Sequence, residues 1–248
     1  MKEKYCTAIV LSAGSGKRMG TKVHKQYLLM GGKPVIYYSL RAFEDSPRID
    51  EIILVCGAGE EEYCRQEIIE KYGIFKARKI ISGGAERYNS VWNGLKETKD
   101  GYVYIHDGAR PFVDGDMIER AYKCVSEHHA CVAGMPSKDT VKIADADNIV
   151  TQTPARSNVW IVQTPQVFDT ELIKQAYAML MEKEEIRVTD DAMAAEQMPG
   201  VSVRLFYGSY ENIKITTPED LEIAEVFLSK MAATAAISTK CSFTNGAG

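Results

Sequence analysis

The chain has 248 residues, 45% of them hydrophobic and 26% charged, proportions that exclude collagen-like, low-complexity and wholly disordered classes. Thirty Lys and Arg against 34 Asp and Glu leave a formal net charge of −4, which argues against a nucleic-acid-coating surface but permits a local basic pocket for a small anion. No apolar run is long enough to span a membrane, and Met1-Lys2-Glu3-Lys4 lacks the apolar stretch of a secretory signal, so a cytoplasmic protein is expected.

In chain order, residues 5–11 read as an apolar strand that stops at Ser12-Ala13-Gly14. Pro34 opens a helix with Ile36, Leu40 and Phe43 on one face. A strand at 52–56, a helix over 60–72 closed by Gly73, and a strand at 78–81 stopped by Gly83-Gly84 follow. Next come a helix at 88–97, a strand at 102–106 ending in Asp107-Gly108, a helix at 114–128 and a strand at 130–135. The rhythm breaks between Pro136 and Trp160, where short alternating segments at 140–143, 149–153 and 159–162 read as a β-ribbon. Such a ribbon cannot bury both its faces, so it packs on a partner subunit or folds over the site. Helices at 170–183 and 190–197, strands at 201–206 and 213–215, and a Pro218-started helix to about Met231 complete the pattern.

This alternation predicts an α/β fold: a Rossmann-like three-layer sandwich with a mostly parallel sheet, helices on both faces and a protruding β-arm over about residues 136–160. Residues 1–231 are expected to form one domain, and 232–248, lacking periodicity, a disordered tail. Cys6, Cys56, Cys64, Cys124, Cys131 and Cys241 are dispersed without zinc spacing and read as buried reduced thiols. Ligands of such sheets bind beyond the carboxyl ends of the strands, which directs attention to the loops at 12–20, 82–87 and 107–111.

The first loop, LSAGSGKRMG, is glycine-rich and can turn backbone N–H groups toward phosphate oxygens. It is neither of two familiar phosphate loops. The dinucleotide fingerprint needs its third glycine where Met19 stands, and Walker A needs glycine where Leu11 stands and Ser or Thr where Arg18 stands. What remains is a glycine loop with Arg18 inside it and Lys25 seven residues on, a pair able to neutralise charge on a phosphorus under attack.

The loop, together with KQYLLMGGKPVIYYSL, resembles the opening of the nucleotidyltransferase superfamily that activates sugar phosphates. The motifs GGAERYNSV, HDGARPF, KDTVK, TPARSNVWIVQTPQVF, VTDDA and NIKITTPEDLEIAE continue in order over about residues 8–227, and narrow the likeness to the 2-C-methyl-D-erythritol 4-phosphate cytidylyltransferase family. That resemblance implies a loop of Ser12, Ala13, Gly14, Ser15 and Gly16 wrapped around the CTP triphosphate, with Ala109 also on the nucleotide. Arg18, Lys25 and Lys214 would be the catalytic cations, and Gly83 and Ser90 would read the cytosine. Arg110, Thr140, Arg156, Thr164 and Thr189 would hold the polyol phosphate, and the arm would clasp a second subunit in a homodimer and lend residues to its site.

Asp107, at a strand end beside a triphosphate, suits Mg²⁺ or another divalent cation. Judged singly, Asp107 is also a turn former, Ser90 a helix cap, and Arg156 and Lys214 ordinary surface cations; the ordered motifs raise them together. His106 precedes Asp107, so strand alternation points its ring the other way, and it reads as structural.

The implied reaction is in-line attack of a methylerythritol phosphate on the α-phosphorus of CTP with loss of pyrophosphate, a step in non-mevalonate isoprenoid precursor synthesis. The attacking phosphate is already ionised, so positioning and charge stabilisation suffice. Three rivals stand: a ribitol-5-phosphate cytidylyltransferase, a sugar-1-phosphate uridylyl- or guanylyltransferase, and a nucleotide-binding module without catalysis.

Overall fold

The computed structural model describes residues 4–14 and 24–244, with side chains through Met231. Strand β1, Cys6–Leu11, carries the first apolar run into the glycine loop. A hairpin of β2, Leu29–Met30, and β3, Lys33–Pro34, turns through Gly31 and Gly32 at φ 55° and 77°, the paired left-handed geometry that a two-residue hairpin turn requires. Helix α1, Val35–Asp45, then buries Ile36, Leu40 and Phe43 as its periodicity predicts, with Pro34 as its cap.

Strand β4, Glu51–Cys56, leads to a helix that begins as α2, Glu61–Tyr63, and winds as a π-helix over Cys64–Glu70, where an ordinary helix was expected. The following Lys71 N–H bonds Gln66 O, five residues back, and Cys64, Ile68 and Ile69 are buried. Next come β5, Ala77–Ser82; α3, Arg87–Lys96; β6, Tyr102–Asp107; α4, Gly115–His128; and β7, Ala130–Pro136. Asp114 caps α4 by accepting from Met117 N, and its end turns through His129 at φ 64°.

The stretch expected as an arm forms a separate two-stranded antiparallel ribbon, β8, Ile143–Ala144, with β9, Val150–Gln152, all of it exposed. Strand β10, Trp160–Asp169, returns the chain to the main sheet, followed by α5, Thr170–Met181; α6, Asp191–Ala195; β11, Arg204–Tyr207; and α7, Pro218–Thr244.

The main sheet has seven strands in the order β11-β7-β10-β6-β1-β4-β5. Only β10 runs against the others, pairing antiparallel with both β6 and β7. Alternation sorts the side chains between two cores. Ala8, Val10, Leu54 and Tyr104 meet α1, the π-helix and α4, whereas Ile9, Val55, Val103 and Ile105 meet α3, α5 and α6. Each face buries a continuous apolar layer, the dominant favourable contribution to such a fold. Because β1, β4, β5 and β6 are parallel, their carboxyl ends share one edge, with Leu11 level with both Val55 and Asp107.

Two expectations need correction. Residues 213–215 are not a strand; the segment is extended but pairs only through Ile215 N, which donates to Ala109 O at 2.8 Å, and Ile215 is buried against Met30, Val35 and Phe112. The last helix does not stop near Met231 but continues to Thr244, so residues 232–244 of the expected tail have helical backbone. Ala232, Ala233, Ala235 and Ala236 explain this, since alanine favours helix without needing an amphipathic pattern. Of the cysteines, Cys6, Cys56, Cys64 and Cys131 are buried and Cys124 is half-buried, all unbridged. Among the described residues no helix is long and apolar enough to cross a membrane.

Candidate active site

A cavity of about 380 Å³ opens at the shared carboxyl edge of β1, β5 and β6. Its floor is the end of β1. Ser12 N and Ser12 Oγ both donate to Val55 O, at 2.7 and 3.1 Å, which fixes the start of the glycine loop on β4. Gln26, almost fully buried, donates its amide to Ser12 O and, at 3.3 Å, to Gly14 O. Those two carbonyls are thereby engaged behind the loop. Ser12, Ala13, Gly14 and Lys25 all line the cavity.

Asp107, only 8% exposed, stands at the end of β6 on the cavity wall. Lys214 Nζ lies 2.7 Å from its Oδ2, and Arg87 Nε lies 3.3 Å from its Oδ1. Burial alone would raise this carboxyl, but Arg87 and Lys214 outweigh it and hold Asp107 well below the usual carboxylate range. It is an anion at any working pH. Arg87 is itself anchored: Nη1 and Nη2 each lie 2.8 Å from an oxygen of Asp191, a fully buried carboxylate. Tyr177 donates to the same carboxylate at 2.6 Å.

Behind Asp107 runs a chain of neutral hydrogen bonds. Asp107 N donates to Thr164 Oγ1 at 3.1 Å, and Thr164 Oγ1 is 3.1 Å from His106 Nδ1. His106 Nε2 is 3.1 Å from Arg110 O, a pure acceptor, so the proton sits on Nε2 and the Thr164 hydroxyl donates to Nδ1. Burial pushes His106 down to about 4, which keeps the ring neutral. Its reading as a structural histidine holds.

Of the residues expected in the site, Ser12, Ala13, Gly14, Lys25, Ser90, Asp107, Ala109 and Lys214 share this cavity. Ser15, Gly16 and Arg18 lie outside the described residues. Gly83 is not among the lining residues; Gly84 and Ala85 are. A Cβ on Gly83 would come within 2.4 Å of Ala13 Cβ and 2.7 Å of Ser90 Oγ, so its glycine is required by close packing of two loops against the first turn of α3. Ser90 Oγ accepts from Gly84 N at 3.0 Å and donates to Glu86 O at 3.3 Å.

The expected polyol-phosphate residues are dispersed in the single chain. Thr189 lines a second cavity of about 350 Å³, which shares Glu86 and Arg87 with the first. Thr164 is buried in the network behind Asp107. Arg110 donates from Nη1 to Asn212 O at 2.8 Å, while its buried Nε has no partner among the described residues. Thr140 and Arg156 are exposed beside the ribbon, the latter donating to Lys138 O at 3.5 Å.

Sequence reading missed Gln26, Gly84, Arg87 and Asp191. A signal existed for each: Gln26 lies inside KQYLLMGGKPVIYYSL, Gly84 and Arg87 inside GGAERYNSV, and Asp191 inside VTDDA, all motifs of the resemblance.

The family model "IspD: 2-C-methyl-D-erythritol 4-phosphate cytidylyltransferase" matches residues 6–230. The chain is 52% identical over 224 residues to a 2-C-methyl-D-erythritol 4-phosphate cytidylyltransferase of Lachnospira eligens, covering 90% of this chain and 98% of that one. It is 48% identical over 223 residues to the protein of that name from Lachnoclostridium phytofermentans, covering 90% and 95%. Among solved structures it is similar to 4-diphosphocytidyl-2C-methyl-D-erythritol synthase from Anaerococcus prevotii, with TM-score 0.80, 35% identity and coverage of 91% and 99%. A 2-C-methyl-D-erythritol 4-phosphate cytidylyltransferase from Thermus thermophilus gives 0.72, 28%, 89% and 98%. With a family model matching residues 6–230 and a relative 52% identical over 90% of its length, the chain belongs to the 2-C-methyl-D-erythritol 4-phosphate cytidylyltransferase family.

Proposed function

We propose that this protein is a nucleotidyltransferase that moves the cytidylyl group of CTP onto the phosphate of 2-C-methyl-D-erythritol 4-phosphate, releasing pyrophosphate, in non-mevalonate isoprenoid precursor synthesis. The observation that carries this reading is the convergence of Lys25, Lys214, Asp107 and the Ser12–Gly14 backbone on one cavity in a chain of this family. The glycine loop, Ser15 and Gly16 included, wraps the triphosphate, Ala109 after β6 also touches the nucleotide, and Ser90 with its Gly84 neighbour faces the base. Gly83, pressed between Ala13 and Ser90, is the packing glycine behind that pair.

Lys25 and Lys214, with Arg18, counter the charge that builds on the α-phosphorus and its oxygens. The acceptor phosphate is ionised already, so no side chain need take a proton, in keeping with a neutral, fully engaged His106. Arg110, whose buried Nε has no partner among the described residues, suits an incoming phosphate. Thr189 stands on the acceptor side, buried Thr164 fixes Asp107 from behind, and Thr140 and Arg156 reach the site from beside the ribbon of a second subunit in a homodimer.

Asp107 is a hard oxygen donor kept ionised on the cavity wall, and among the described residues no cluster of three His, Cys, Asp or Glu forms an all-protein cage. That donor set fits Mg²⁺ held by one carboxylate and the substrate's phosphate oxygens. The bound cation would neutralise triphosphate charge.

Initial rates of pyrophosphate release with CTP, UTP and GTP, each against methylerythritol phosphate and ribitol 5-phosphate, test the reading. Release confined to CTP with methylerythritol phosphate is expected. Turnover of ribitol 5-phosphate alone, a UTP or GTP preference, or CTP binding without pyrophosphate release would each replace it with a named rival.

A further inference from the structure

Arg87 lies between the two cavities and is claimed by two carboxylates. Asp191 takes both terminal nitrogens, at 2.8 Å each, and leaves Asp107 only Nε, at 3.3 Å. The division is not symmetric by accident of exposure, because Asp191 is held from every side. Tyr177 donates to its Oδ1 at 2.6 Å, and Gln166 Oε1 accepts from Asp191 N and Ala192 N, both at 2.9 Å. A guanidinium fork prefers a carboxylate it can meet with two parallel N–H groups. Without Asp191, the nearest carboxylate for that fork is Asp107.

We infer that Asp191 is a positioning residue that sequesters the Arg87 fork and so keeps a bidentate guanidinium off Asp107, whose Oδ1 stays available to a divalent cation while Lys214 holds Oδ2. This rests on reading Asp107 as the cation-binding group. Asp191 touches neither the cation nor the substrate; it acts through Arg87. The segment that enters α6 at Asp191 carries Thr189 and Asp190, which line the second cavity. Displacement of that segment would free the fork and weaken cation binding across the wall, so the two cavities are coupled through one buried ion pair.

The probe is Mn²⁺ with CTP, followed by water-proton relaxation on the full chain without acceptor, so that no turnover is needed. Asp191→Asn is expected to weaken Mn²⁺ binding about tenfold, the scale on which partners of a metal ligand act. Adding Arg87→Gln to Asp191→Asn removes the competing fork together with its lost partner and is expected to restore affinity to within about threefold of wild type. A role limited to holding the fold would make the double variant as weak as the single one or weaker, and that result would overturn the inference. So would an unchanged affinity in Asp191→Asn. Should that variant fail to fold, Asp191→Ser replaces it in both arms. Failure of the wild type itself to bind Mn²⁺ with CTP would instead remove the reading of Asp107, and the inference with it.

Discussion

Lys214 Nζ and Asp107 Oδ2 are 2.7 Å apart, and the backbone on either side of Lys214 is tied to the surroundings of Asp107. Ile215 N donates to Ala109 O at 2.8 Å, and Asn212 Nδ2 donates to Thr164 O at 2.9 Å. Thr164 in turn receives Asp107 N. The lysine is thus aimed by its neighbours as well as by its charge. At 36% exposure it keeps water on one side, so its pairing contributes little to stability and its value lies in placement.

Lys214→Ala is therefore expected to fold normally and to lower kcat by about a hundredfold, with CTP affinity changed by no more than about fivefold, as for a cation whose main contact forms in the transition state. Lys25→Ala should behave alike. Steady-state kinetics beside equilibrium CTP titration checks both; a loss confined to CTP affinity would make these residues binders only.

Gly83→Ala places a methyl group 2.4 Å from Ala13 Cβ and 2.7 Å from Ser90 Oγ. The glycine loop and the start of α3 must part to admit it. The expected cost is about 1–3 kcal/mol of stability with KM for CTP raised about tenfold, read by urea denaturation and by kinetics. Wild-type values for both would show that the two loops and the start of α3 have slack.

His106 supplies a pH dependence whose sign follows from its burial. Its folded-state value, about 4, lies below the unfolded 6.5, so the unfolded chain binds more protons between those values. Stability from this group is complete above about 6.5, falls as pH drops toward about 4, and amounts to about 3 kcal/mol at most. Urea unfolding at pH 7.5 and at pH 5 in chelator should show that loss in wild type and a smaller one in His106→Gln. Equal losses would assign the acid sensitivity elsewhere.

The ribbon leads to a prediction about subunits. If Arg156 serves the neighbouring site, mixing inactive Arg156→Ala with inactive Lys214→Ala chains rebuilds one intact site in each mixed dimer. About a quarter of wild-type activity is expected after subunit exchange. No recovery would place Arg156 in the site of its own chain or outside any site.

Much of this was legible from residue patterns, for identifiable reasons. Strand alternation placed the His106 ring opposite the Asp107 carboxyl, and the ring lies edge-on to Phe43 of α1. Asp107 could be placed because a carboxyl-edge position follows from parallel strand order. Less accessible was any pairing across long separation. Nothing local in Arg87 announces a partner 104 residues away, and nothing in Asp191 announces its complete burial. Gly83 and Gly84 are adjacent and alike in sequence, and only the approach of Ala13 and Ser90 tells the packing glycine from the one that lines the cavity. The 213–215 segment has the β-branched pattern of a strand, but Ile215 spends its apolar side chain against α7 and not in a ladder.

The most direct measurement is ³¹P NMR of the complete reaction with CTP, Mg²⁺ and 2-C-methyl-D-erythritol 4-phosphate. Loss of the acceptor monophosphate signal, with a new cytidine diphosphate ester and pyrophosphate appearing in equal amounts, is the predicted result. Pyrophosphate with CMP and an unchanged acceptor, or no change in any signal while ribitol 5-phosphate is consumed in a parallel tube, would contradict it.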